Sequence, residues 1–110
     1  MRSWMTTGLI LILMVATPML LAAKGDATAG KAVYTKNCAT CHGAAGEGKD
    51  AIAKMFKVTL RHLGSKEVQA KSDADLRKNI TEGTGKMKPV KLSEEEVTNV
   101  IAYLRTLAKK

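Results

Sequence analysis

Aromatic side chains are nearly missing from this sequence: one Trp, two Tyr and one Phe stand among 110 residues. A surface that holds nucleic acid by stacking its bases needs interleaved aromatics, and none can be assembled here. The lysines are also spread along the chain rather than clustered, so charge excludes nucleic acid as well. Cysteine is equally sparse. Two residues cannot build a multi-disulfide framework. The glycines at 43–48 are not followed by a Gly-Lys-Ser/Thr ending, so that stretch is not a phosphate loop. No run reads as a β-strand pair, no segment repeats, and no internal linker divides the chain.

Long apolar runs are missing too. Arg2 precedes the short run Leu9–Val15, and Thr17 and Pro18 interrupt it before Leu20-Leu21-Ala22-Ala23. This layout over residues 1–23 fits a secretory signal better than a membrane span. Leu20 or Leu21 falls where a small residue is preferred before the cleavage point, so an uncleaved N-terminal anchor is the alternative. The expectation is an exported, periplasmic protein, or one held at the outer face of the cytoplasmic membrane if the segment stays.

Residues 24–110 then form one small domain. A core of that size is marginal without a disulfide, a metal or a cofactor. The domain keeps all ten acidic residues and seventeen of the eighteen basic ones. A basic surface of this kind suits an acidic partner or an anionic membrane face.

What is present is concentrated. The chain has two cysteines and two histidines, and three of these four residues lie in Cys38-Ala39-Thr40-Cys41-His42. Cys-x-x-Cys-His is the signature of covalent haem attachment. Two thiols three residues apart share one face of a helical turn. They can form thioethers to one edge of a porphyrin, and the following imidazole is held beneath the iron as an axial ligand. A zinc site needs four ligands, and only His62 remains outside the cluster. A thioredoxin-like pair expects a βαβ context, and a disulfide across two residues closes too small a loop to stabilise much. A haem would also supply the large apolar plate that the few aromatics cannot.

The elements around the motif read as helices. One starts after Asp26 or Thr28 and runs to about Asn37, with Gly30 and Tyr34 on one stripe. Residues 51–70 suggest a short second helix and then an irregular wrap, with Met55 beside Ile52 and Phe56 as ordinary core. A third helix begins near Ser72, carries Asp73 and Asp75 in its first turn and ends at Gly83. Ser93-Glu94-Glu95-Glu96 is a capping box, and the apolar face of the last helix runs from Val97 to Ala108.

An iron held by His42 needs a ligand on its other face. Met55, Met87 and His62 are the candidates in residues 24–110. Met87 stands in the polar loop Thr84-Gly85-Lys86-Met87-Lys88-Pro89-Val90, where a thioether has little reason to be, and Pro89 stiffens that loop. Context therefore favours Met87, with His62 or an open position as alternatives.

With these residues in place the chain resembles a small class I c-type cytochrome, of the monohaem cytochrome c family. The resemblance rests on Gly30 and Tyr34 before Cys38-Ala39-Thr40-Cys41-His42-Gly43, then Gly85-Lys86-Met87-Lys88-Pro89, then Val100-Ile101-Ala102-Tyr103-Leu104. It covers residues 27–108. It implies an all-α cytochrome c fold over 24–110, with four or five short helices wrapped around one covalent haem c. It further implies that Gly30 meets the last helix near Tyr103, and that the protein carries single electrons rather than acting as an enzyme. Two features depart from the pattern. Asp50-Ala51-Ile52-Ala53-Lys54 lacks the Pro whose carbonyl orients the imidazole in many relatives, and Lys88 separates Met87 from Pro89. The expected partners are redox proteins with an acidic docking face, met by a monomer. Membrane contact would come only through a redox complex or the anchor. A haem sensor or peroxidase-like enzyme, with a displaceable distal ligand, is the alternative.

Overall fold

The computed structural model describes residues 25–109, together with Gly8, Ile10 and Ile12. The signal or anchor assigned to residues 1–23 otherwise lies outside the described residues. Among the described residues no helix is long and apolar enough to cross a membrane.

Six helical segments follow one another: α1 Ala27–Asn37, α2 Ala39–His42, α3 Asp50–Phe56, α4 Lys66–Gln69, α5 Asp73–Glu82 and α6 Glu94–Thr106. The expectation of four or five helices misses the two single turns, α2 and α4. Among the described residues there is no strand, only an isolated antiparallel bridge between Thr84 and Met87.

Side chains at the N-termini explain where the helices start. Asp26 accepts from the backbone N–H groups of Thr28 at 2.8 Å and Ala29 at 3.2 Å. Ser72 accepts from Asp75 at 3.1 Å and begins α5, which Gly83 ends at φ 78°. Ser93 and Glu96 exchange bonds of 3.0 and 3.1 Å in the capping box of α6. That helix stops at Thr106, so the apolar stripe outlasts it: Leu107 is the C-cap and Ala108 is exposed.

Segment 57–65 is the expected irregular wrap. It is separated from α3 by Lys57, whose φ of 54° is left-handed. Within the stretch read as wrap, Ser65 caps one further turn, α4, which buries Val68. Met55 and Phe56 are not core. They are 65% and 42% exposed, and α3 buries none of its residues.

The core is small. Tyr34, Val97 and Val100 are fully buried, and Val68, Leu76, Ile80, Ile101 and Leu104 complete the cluster. Each such side chain contributes about 1.5–3 kcal/mol by leaving water. Helices α1 and α6 cross at its centre, where a Cβ on Gly30 would overlap the carbonyl of Asn99. One turn further on, the rings of Tyr34 and Tyr103 lie 5.1 Å apart at 53°. The crossing therefore lies at Asn99–Val100, one turn N-terminal to Tyr103. Helix α5 is tied to α6 by Arg77, which donates to Glu94 and to Thr98, each at 2.8 Å.

Candidate functional site

The Cys-x-x-Cys-His run sits on α2, directly after α1. Cys38 closes α1, donating its backbone N–H to the Tyr34 carbonyl at 2.8 Å, and its own carbonyl accepts from Cys41 and His42 at 3.2 and 3.0 Å. One helical turn thus carries both thiols and the imidazole. Cys38 and Cys41 are free and half-buried. Burial pushes the Cys38 thiol up to about 11, with the neighbouring Cys41 adding to the rise. A thiol held protonated at neutral pH is a poor exchange nucleophile, which argues against a dithiol oxidoreductase.

Burial lowers the His42 pKa below its ordinary 6.5. The neutral imidazole, the form that binds metals, is therefore favoured. Its Nδ1 is buried with no hydrogen-bond partner. A buried nitrogen without a partner is costly, and in an imidazole that ligates a metal through Nε2 it would carry the second ring N–H. Near the end of α3, Met55 and Phe56 leave apolar surface exposed among the described residues. Two free thiols, a neutral imidazole and uncovered apolar side chains fit a porphyrin with a central iron.

The loop after His42 folds back on the motif. Gly48 donates to the His42 carbonyl at 2.6 Å and Lys49 to the Cys41 carbonyl at 3.0 Å. Gly43, at φ 82°, turns the chain, and the Glu47 side chain lies across it. The Glu47 carboxyl is held below the usual carboxylate range by its own backbone N–H and that of Ala45, which donates to it at 2.8 Å. The Tyr34 hydroxyl donates to the Gly43 carbonyl at 2.5 Å. Sequence reasoning missed that bond, although a tyrosine buried four residues before the motif had to place its hydroxyl somewhere.

Met87 occupies a tight turn. Thr84 and Met87 exchange backbone bonds of 3.1 and 2.9 Å around Gly85-Lys86, and only Gly85 of the central pair has positive φ, as hairpin turns with glycine there require. Val90 donates to the Ile80 carbonyl at 2.8 Å, so the loop returns onto α5. The Lys86 ammonium reaches the Phe56 carbonyl at 2.6 Å, joining the Met87 turn to the end of α3. Met87 itself is half-buried, whereas Met55 is exposed.

His62 is differently engaged. Its Nδ1 accepts from the backbone N–H of Gly64 at 2.9 Å. In that neutral tautomer Nε2 carries the proton and offers no lone pair to a metal. The geometry disfavours His62 as a ligand. Among the described residues no group of three or more His, Cys, Asp or Glu is placed to hold a metal ion by itself.

Comparison with known proteins agrees with this geometry. Residues 27–108 match the family model described as Cytochrome c. The chain is 37% identical over 89 residues to cytochrome c-554(547) of Halothiobacillus neapolitanus, covering 76% of this chain and 98% of that protein. It is 31% identical over 87 residues to cytochrome c6 of Leptolyngbya boryana, covering 77% and 96%. The solved structure of the KustC0563 c-type cytochrome superposes with a TM-score of 0.64 at 33% identity, covering 73% of this chain and 98% of that one. The matched span includes the motif turn, the Met87 turn and the α1–α6 crossing, and the chain belongs to the cytochrome c family as a small monohaem class I c-type cytochrome.

Proposed function

We propose that this protein is an exported one-electron carrier in which Cys38 and Cys41 anchor the porphyrin and His42 and Met87 take the two axial positions. Family membership already makes it an electron-transfer protein with covalently attached haem c rather than an enzyme. Bound haem c supplies a one-electron iron couple. The observation that carries the finer reading is the α2 turn, which presents two free thiols and a neutral, half-buried imidazole together.

The chain's own residues do the rest. Helix α2 fixes the thiols and the imidazole relative to one another. The Thr84–Met87 turn offers a thioether from a backbone closed by two hydrogen bonds. A soft thioether opposite an imidazole favours ferrous iron and raises the potential. With His42 and Met87 both holding the iron, no position would be left open to a substrate. Lys88 and Lys91 are exposed beside this turn and would steer an acidic redox partner toward it. The segment 1–23 directs export.

Intact mass and acid–acetone extraction of the protein made in an exporting, haem-attaching host test the proposal together. The mass should exceed that of the polypeptide by one haem, and the haem should stay with the protein after extraction. Haem passing quantitatively into the organic phase would contradict it. The same mass shows whether residues 1–23 are removed.

A further inference from the structure

Tyr34 is fully buried, yet its hydroxyl is turned to the motif rather than to solvent. It donates at 2.5 Å to the carbonyl of Gly43, the residue directly after His42. The Gly43 N–H is held by the Ala39 carbonyl at 2.9 Å, and the His42 N–H by the Cys38 carbonyl at 3.0 Å. The His42 carbonyl accepts from Gly48 at 2.6 Å. The backbone of His42 is thus fixed on both sides.

Its ring is not. Metal-bound histidines almost always donate their second ring N–H to a carboxylate, a carbonyl or water, and that bond sets the ring's orientation. Here Nδ1 is buried and has no partner. The imidazole must be oriented from its backbone. The terminal support of that backbone is Tyr34, which Tyr103 in turn holds from α6 at 5.1 Å. Gly43 sits at φ 82°, where a side chain is strained, so the peptide that Tyr34 grips can turn only as the loop turns.

We propose that Tyr34 is the positioning residue for the His42 imidazole, acting through the Gly43 carbonyl in place of a direct acceptor at Nδ1. The proposal rests on His42 as an axial ligand. Burial pushes the Tyr34 phenol up to about 12, so it remains a donor at neutral pH. Removing the hydroxyl leaves the Gly43 carbonyl only the longer bond from the Gly46 N–H, at 3.3 Å, and loosens the turn that aims the ring. An imidazole that donates less well disfavours ferric iron.

Tyr34→Phe in the haem-loaded protein keeps the ring and removes only the hydroxyl. The ferrous state should gain at least threefold, a rise of roughly 28 mV for a one-electron couple. The haem methyl proton shifts of the ferric protein should redistribute as the imidazole plane rotates. Tyr103→Leu, which removes the stacking neighbour but leaves the hydroxyl bond, should lower stability while moving the potential much less. A potential and a methyl pattern unchanged in Tyr34→Phe, or moved equally by Tyr103→Leu, would overturn the proposal.

Wild-type protein gives a second reading that needs no variant to fold. The Nδ1 proton of His42 should lack the downfield shift and scalar coupling of a bond to a carbonyl, and finding such a bond would also overturn the proposal. The paramagnetic shift of the His42 ring protons reports ligation separately. Its absence would mean that the ligand assignment had failed, and the proposal with it.

Discussion

Gly30 lies directly against the Asn99 carbonyl, so α1 and α6 cross backbone to backbone. A Cβ there would overlap the Asn99 oxygen and carbon and lie 3.0 Å from the Val100 nitrogen. Those atoms belong to a helix ladder and cannot move aside singly. The crossing also sets where Tyr34 points, one turn later on α1, and Tyr34 reaches the motif through Gly43. The two terminal helices therefore position the turn that carries the haem signature.

Gly30→Ala should destabilise the protein despite its better helix propensity. The propensity gain is about 1 kcal/mol. Overpacking typically costs about 1–3 kcal/mol, and a clash with backbone belongs at the upper end. The denaturation midpoint should fall with an unchanged slope. A midpoint at or above wild type would mean that the helices do not cross this closely.

Arg105 fastens the chain after α4 to α6. Its guanidinium donates to the carbonyls of Gln69 at 2.9 Å and Lys71 at 2.7 Å, and to Asp73 at 2.7 Å. Arg105→Ala should cost about 1–3 kcal/mol, mostly from the lost bonds to carbonyls, because the ion pair itself is exposed. Arg105→Lys should not restore the stability, since one ammonium cannot replace the planar fork. Chemical denaturation of both variants measures this. Full recovery with Lys would show that charge alone matters.

Tyr34 gives the stability a dependence on alkaline pH. Its folded value of about 12 lies above the ordinary 10, with burial the largest cause. The unfolded chain loses this proton first as pH rises. The associated stability is therefore fully present below pH 10 and is lost as pH rises through about 12. Denaturation midpoints across that window should fall more steeply in wild type than in Tyr34→Phe. Parallel slopes would contradict the assignment.

The helix boundaries were legible because side chains mark them. Asp26, Ser72 and Ser93 each cap the helix that the sequence places after them. The haem motif was legible because its chemistry fixes its spacing. The single turn α4 was not, since Ser65 caps only four residues and no apolar period can show in so short a span. Met55 misled for a related reason. Apolar spacing shows that a face exists but not what covers it, and among the described residues Met55 and Phe56 stay exposed. The partner of the Tyr34 hydroxyl was out of reach because it is a backbone carbonyl, which every residue has.

Charge beside the Met87 turn should govern docking. Lys86, Lys88 and Lys91 bracket Met87 in the sequence, but the Lys86 ammonium is engaged by the Phe56 carbonyl. Lys88 and Lys91 are exposed and form the cleaner test. Reversing both to Glu should slow association with an acidic redox partner and flatten its salt dependence, while the haem spectrum stays unchanged. Wild-type rates and salt slope would place the docking face elsewhere.

The most direct test of the ligand pair is the weak sulfur-to-iron charge-transfer band of the ferric protein in the near infrared. The wild-type protein should show it, and Met87→Ala should lose it and fall in reduction potential, while Met55→Ala and His62→Ala keep both. Loss of the band in Met55→Ala or His62→Ala with retention in Met87→Ala would contradict the assignment of His42 and Met87 as the axial pair.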